Sequence, residues 1–188
     1  MYLVKFAGAF CLLYFGTLAI IGLSAPAGYY SGFVDTYLNF IPAFRNLLLQ
    51  SSRYFLSVLG YEAYQSNNIL LNLVGGSSVQ LVYSCLGYGV TSFWVAFVFA
   101  NTGSWKKKAA WMIGGTLLLY VINVVRISLT LLSNSKKWHF PFGWNNHDWF
   151  NIAAYFSIFC MIYLFDRSLK RHSIKENKKD GYGSEQIQ

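Results

Sequence analysis

The chain has 188 residues, of which 55% are hydrophobic and only 12% charged, about half the charged share (roughly 25%) of an ordinary soluble domain. Its formal net charge of +8 does not read as a nucleic-acid footprint. The basic residues sit in the gaps between apolar runs, the pattern that sets the topology of a membrane protein. The length suggests one domain, read here as a membrane-embedded domain over residues 1–165 followed by a basic cytoplasmic tail over 166–188 that lacks the apolar residues needed to order it.

Phe6 to Leu23 is the first apolar run long enough to cross a hydrocarbon core ~30 Å thick at ~1.5 Å per residue. Ala25-Pro26-Ala27 is a weak cleavage site and no soluble domain follows, so the run is read as a retained first span. In residues 24–60, Phe33, Tyr37, Ile41, Phe44 and Leu48 recur at three-to-four spacing among Asp35, Asn39, Arg45 and Asn46, before Ser51, Ser52 and Arg53 interrupt the apolar character. This predicts two short amphipathic helices broken near Pro42, lying in the membrane interface or packing as a wall of the bundle.

Ile69, Leu71 and Leu73 recur at every second position, as do Val79, Leu81 and Tyr83, with Gly75-Gly76-Ser77-Ser78 between. That is a β-hairpin pattern, and it delivers the chain to Cys85. Leu86–Ala100 is the second expected span, Ala109–Leu132 the third, interrupted by Asn123 and Arg126, and Trp149–Phe165 the fourth. The expected fold class is an all-α integral membrane protein with about four transmembrane helices, interfacial amphipathic helices and a small β-hairpin on the outer face. Lys5, Lys106 to Lys108, and the tail residues Arg167, Lys170, Arg171, Lys175, Lys178 and Lys179 fall on one side of such a bundle, against Arg45, Arg53, Lys136 and Lys137 on the other. The positive-inside rule then puts both termini in the cytoplasm, with the hairpin, Cys85 and the Trp138–Asn146 loop facing outward.

This topology, assigned from lysines, brings three chemically capable residues to one membrane level: Cys85 at the outer end of the second span, Arg126 near the outer end of the third and His147 at the start of the fourth. An arginine in a spanning helix costs roughly 2.5–3.5 kcal/mol to insert and usually faces the protein interior; Asn123, one turn earlier on the same face, extends the polar patch. The plainer reading of Arg126 is a snorkelling helix anchor, that of Cys85 a small packed residue, and that of His147 an interfacial cap. At a strand-to-helix junction, however, a thiolate is stabilised by the helix dipole and its free N–H groups, and Gly87 and Gly89 leave room for a substrate backbone. His147 is preferred over His139 because attachment to a helix fixes the position a catalytic base needs, with Asn151 one turn on to orient its ring. Cys11 and Cys160 fall inside apolar runs, so Cys85 has no obvious disulfide partner. No His-x-x-x-His or Cys-x-x-Cys pair, Gly-rich phosphate loop or Gly-x-Ser-x-Gly motif is present, so neither a metal nor an organic cofactor is read from the sequence.

Ser84-Cys85-Leu86-Gly87 opening a span, Asn123-Val124-Val125-Arg126-Ile127 within the next and His147 opening the last resemble the exosortase/archaeosortase family of multi-spanning membrane cysteine transpeptidases. The resemblance covers residues 65–165 most closely. The chain is shorter than many members, and Leu86 is bulky where small residues often flank the family's cysteine. What the resemblance implies is acyl transfer: Cys85 attacks a peptide carbonyl just outside the membrane, His147 serves as base and then acid, Arg126 stabilises the oxyanion, and an unknown amine, alcohol or water resolves the thioester. The implied partners are exported proteins with a hydrophobic C-terminal anchor, met within the lipid bilayer of the inner membrane. A non-enzymatic membrane scaffold and a small anion transporter are the competing readings.

Overall fold

The computed structural model describes residues 1–25, 29–136 and 152–168. In chain order these form α1 (Tyr2–Leu23), α2 (Gly32–Tyr37), α3 (Ile41–Val58), three strands β1 (Ala63–Asn67), β2 (Leu70–Leu73) and β3 (Ser78–Gln80), a one-turn 3-10 helix (Tyr83–Leu86), α4 (Tyr88–Ala100), α5 (Trp105–Lys136) and α6 over 152–168.

The 32-residue α5 is the spine, and its two halves carry different neighbours. In its C-terminal half Val124, Ile127, Leu131 and Leu132 join one buried cluster with Ile41, Leu48, Leu49 and Leu56 of α3, Leu71 and Leu73 of β2, and Leu81 and Leu86. In its N-terminal half Leu119 joins a second cluster with Trp94 and Val98 of α4 and Ile158, Met161 and Phe165 of α6. Around that second cluster the outward faces are themselves apolar: Ile113 and Leu117 of α5 and Phe156 and Phe159 of α6 are exposed. Helices with greasy surfaces on all sides gain little hydrophobic driving force from meeting, and close packing must hold them. Gly115 supplies it. A Cβ there would collide with the indole of Trp94, which is fully buried and satisfies its single donor by bonding the Trp111 carbonyl at 3.1 Å. The α1 helix lies against α4 through aromatic contacts, Phe6 on Phe93 and Tyr14 on Tyr88, each at 5.5 Å between ring centroids.

Among the described residues two helices, α1 and α5, are long and apolar enough to cross a bilayer. The expected span over Leu86–Ala100 is shorter, because Gly87 adopts a left-handed conformation and α4 starts only at Tyr88. Its 13 residues rise about 20 Å. In α5 the helix runs beyond the expected 109–132 at both ends, and α6 continues three residues past the expected domain end at 165. The break between α2 and α3 falls at residues 38–40, ahead of Pro42, which takes the first turn of α3, where its missing N–H costs nothing. Ser51 and Ser52 do not interrupt α3. The Ser51 hydroxyl pairs with Tyr120 OH at 2.7 Å, and the Ser52 carbonyl accepts from Ser128 Oγ at 3.4 Å. The apolar face of α3 packs on α5 and the sheet.

The expected hairpin is present as β2 and β3, with Leu71 opposite Val79 and Gly75 at φ 70° in the turn. It belongs to a three-stranded antiparallel sheet of order β1-β2-β3. Strand β1 has no apolar alternation to announce it: of Ala63-Tyr64-Gln65-Ser66-Asn67 only Ala63 is buried. It forms because a two-residue turn at Asn68-Ile69 folds it back on β2.

Gly115→Ala should force Trp94 off its seat and destabilise the protein by about 1–3 kcal/mol, the usual cost of overpacking. Gly114→Ala, where an added Cβ meets nothing within 4 Å, should be neutral or slightly stabilising. Melting midpoints of the two variants in detergent check this.

Candidate active site

Four local devices place Cys85. The Leu81 N–H bonds the Ile69 carbonyl at 2.7 Å, tying the end of β3 to the sheet, and the Cys85 N–H bonds the Val82 carbonyl at 2.9 Å, closing the 3-10 turn. Leu86 then plunges into the first cluster, 3% exposed, which explains a bulky residue beside the cysteine: it is the peg that holds the turn down. Gly87, at φ 76° and ψ 12°, swings the chain into α4, a conformation only glycine adopts cheaply.

From the other side, one face of α5 reaches both parts of Cys85. The buried Asn123 donates from Nδ2 to the Cys85 carbonyl at 3.0 Å. One turn on, Arg126 donates from Nη2 to Cys85 Sγ at 3.5 Å. Residues three apart share a helix face, so a single rigid helix fixes the backbone and the sulfur together. The contact puts a charged donor on the sulfur, the atom through which a cysteine reacts. Cys85 and Arg126 are both half-buried, and Arg126, Asn123 and Gly87 line a cavity of about 960 Å³.

The structure therefore joins four of the residues singled out in the sequence: Cys85, Gly87, Asn123 and Arg126. Gly89 faces α1: a Cβ there would lie 3.4 Å from the Tyr14 ring, in van der Waals contact. His147, Asn151 and the rival His139 lie outside the described residues. Cys11 and Cys160 are free and exposed. Arg126 stands ten residues, rather than six, before the end of its helix. Two residues were not anticipated. Arg45 of α3 lies over the ring of Tyr83, 4.8 Å from its centroid, a cation–π contact that ties the 3-10 turn to α3. Nothing in the spacing of α3 signals that pairing, because Tyr83 reaches Arg45 only once the sheet has turned the chain back. Among the described residues no group of three or more His, Cys, Asp or Glu side chains is placed to hold a metal ion.

A half-buried cysteine, held at a helix junction beside an arginine from a membrane-length helix, defines an integral membrane protein with a candidate thiol centre. The family model described as transmembrane exosortase matches residues 2–165, and the chain belongs to that family. Membership carries, in general terms, cysteine transpeptidation in protein sorting, with a membrane setting and protein substrates. No curated protein and no solved structure matches the chain.

Asn123→Ala should leave the Cys85 carbonyl without its donor and cost about 1–3 kcal/mol of stability. Arg126→Lys, which keeps the charge and loses the planar fork, should slow alkylation of Cys85 by a neutral maleimide while leaving the rates at Cys11 and Cys160 unchanged. Melting curves and site-resolved mass spectrometry read these outcomes.

Proposed function

We propose that the chain is a membrane-embedded cysteine peptidase and transpeptidase that removes a C-terminal sorting signal, made of a recognition motif, a hydrophobic span and a basic cluster, from exported proteins. Cys85 Sγ attacks the scissile carbonyl. Arg126 stabilises the oxyanion that forms, a role in which one donor is worth about 2.7–4 kcal/mol. His147 takes the thiol proton and delivers it to the leaving amine, so that the C–N bond breaks as a thioester is left on Cys85. An amine, an alcohol or water then resolves the thioester and restores the thiol. Asn123 holds the Cys85 turn, Asn151 orients His147, and Gly87 lets the substrate backbone approach.

The observation that carries this reading is the 3.5 Å contact between Arg126 Nη2 and Cys85 Sγ, since a simple helix anchor has no reason to address a sulfur 41 residues away in sequence. The level of the pair supports it as well. Lys106 and Arg126 stand 20 residues apart on α5, about 30 Å along a helix, which is one hydrocarbon thickness. With Lys106–Lys108 at the cytoplasmic surface of the inner membrane, and both termini on that side, the thiol meets an exported chain where it emerges. Ala154 of α6, seven residues beyond His147, lines the same cavity as Arg126, which favours His147 as the base.

In cells carrying Cys85→Ala at wild-type abundance, a set of exported proteins should keep hydrophobic, basic C-terminal tails that the wild type removes. Arg126→Lys should slow that processing roughly 100- to 1,000-fold. C-terminal peptide mass spectrometry of the membrane fraction is the measurement. Identical tails in both strains, with such proteins present, would remove Cys85 from the mechanism.

A further inference from the structure

The cavity beside Cys85 is a lengthwise groove. Along α5 its lining runs from Met112 to Arg126, 14 residues or about 21 Å of helix. The other walls come from Leu13 and Thr17 of α1, Phe44 and Leu47 of α3, and Thr91 and Val95 of α4. Its interior is mostly apolar, and three of its hydroxyls, those of Thr17, Ser51 and Tyr120, are bonded to the scaffold. Thr17 bonds the Leu13 carbonyl at 2.8 Å and Ser51 bonds Tyr120 OH at 2.7 Å. The lining's amide and guanidinium, Asn123 and Arg126, stand at one end, beside the Cys85 turn.

We infer that this groove seats the apolar helix of the substrate, with the scissile peptide emerging over Cys85; the inference rests on the peptidase reading above. Size, surface and continuity favour that occupant over a lipid chain. The groove runs about 21 Å along α5, roughly two-thirds of the ~30 Å that a spanning helix crosses. A helix pressed in to half its depth keeps its other half against lipid, which suits the exposure of Ile113 and Leu117 along one wall, 70% and 61%. Gly87 at the N-cap of α4 and Thr91 and Val95 within the helix stand four residues apart along the wall, where the smaller side chains let a second helix come close. The groove is also continuous with the candidate site: an apolar segment lying in it leaves through the end where Arg126 contacts the sulfur. The apolar helix of a substrate therefore begins within a few residues of the bond that is cut.

Docking is tested apart from catalysis, in nanodiscs, with Cys85→Ala, Cys11→Ala and Cys160→Ala combined. A probe peptide with a polar arm and one 20-residue Leu/Ala helix carries a single cysteine, moved along the helix, and disulfide formation is scored with Leu117→Cys in the groove and with Phe159→Cys on the exposed face of α6. Expected are crosslinks at Leu117→Cys that recur every three to four peptide positions, at least tenfold above those at Phe159→Cys, and a tenfold loss when Thr91→Trp or Val95→Phe fills the groove. In the chain that retains Cys85, both filling variants should keep the wild-type rate of Cys85 alkylation, which shows that they fold. Equal crosslinking at the two sites, or indifference to both filling variants, overturns the inference. So does labelling of the groove by a diazirine-tailed phospholipid that the peptide does not reduce, which makes lipid the occupant. These outcomes leave the Cys85→Ala processing experiment untouched, so failure of the groove and failure of the peptidase reading are separable.

Discussion

The arrangement depends on a short stretch of irregular backbone being held against a helix that cannot move. Residues 82–87 leave a sheet, make one tight turn and pass through a left-handed glycine before α4 begins. Near a bilayer such backbone is tolerated only where protein covers it. The Asn123 side chain meets that requirement by taking the Cys85 carbonyl, and Leu86 meets it by burial. Arg126, one turn further along the same helix, has its insertion cost offset in part by a partner, and that partner is the sulfur. If α5 rotated or Gly87 lost its conformation, the carbonyl contact and the sulfur contact would be lost together.

Different physics holds the two ends of α5. Around its C-terminal half, α3 and the sheet bury leucines while the far side is mixed: Leu48 and Leu56 lie inside, and Gln50 and Arg53 face out beside Leu47 and Tyr54. That half resembles a small soluble core, stabilised by roughly 1.5–3 kcal/mol per fully buried aliphatic side chain. The N-terminal half has apolar surface inside and out, and depends on fit: Gly115 under Trp94, and Phe165 edge-on to Trp94 and Trp111 at 6.2 and 5.5 Å. The candidate site lies at the seam. A stiff, leucine-packed cap positions the thiol, and the groove opens beside the more thinly covered helices.

Much of this was legible in the sequence because the signals were local and strong. Apolar runs marked α1 and α5, the alternation around Gly75-Gly76 marked β2 and β3, and an arginine inside an apolar run marked itself. Gly87 was legible as special, though its reason lies in backbone geometry first. The rest depended on contacts that spacing does not encode. Strand β1 is nearly all polar and exists through pairing. The start of α4 is set by a φ angle. Gly89 faces α1, and Arg45 finds Tyr83 only after three strands have folded between them. Asn123 was expected to extend a polar patch; its more specific job, gripping a carbonyl 38 residues away, belongs to tertiary structure.

The most direct test of the account is to look for the acyl-enzyme. The purified full-length chain in nanodiscs is incubated with a span-bearing substrate identified from the Cys85→Ala strain, quenched in acid and digested, and the peptide containing Cys85 is weighed. The account predicts a mass increase equal to the N-terminal product minus water on that peptide alone, released by neutral hydroxylamine and absent from Cys85→Ala. Turnover of the same substrate with no adduct on Cys85, and at an equal rate in Cys85→Ala, would contradict it.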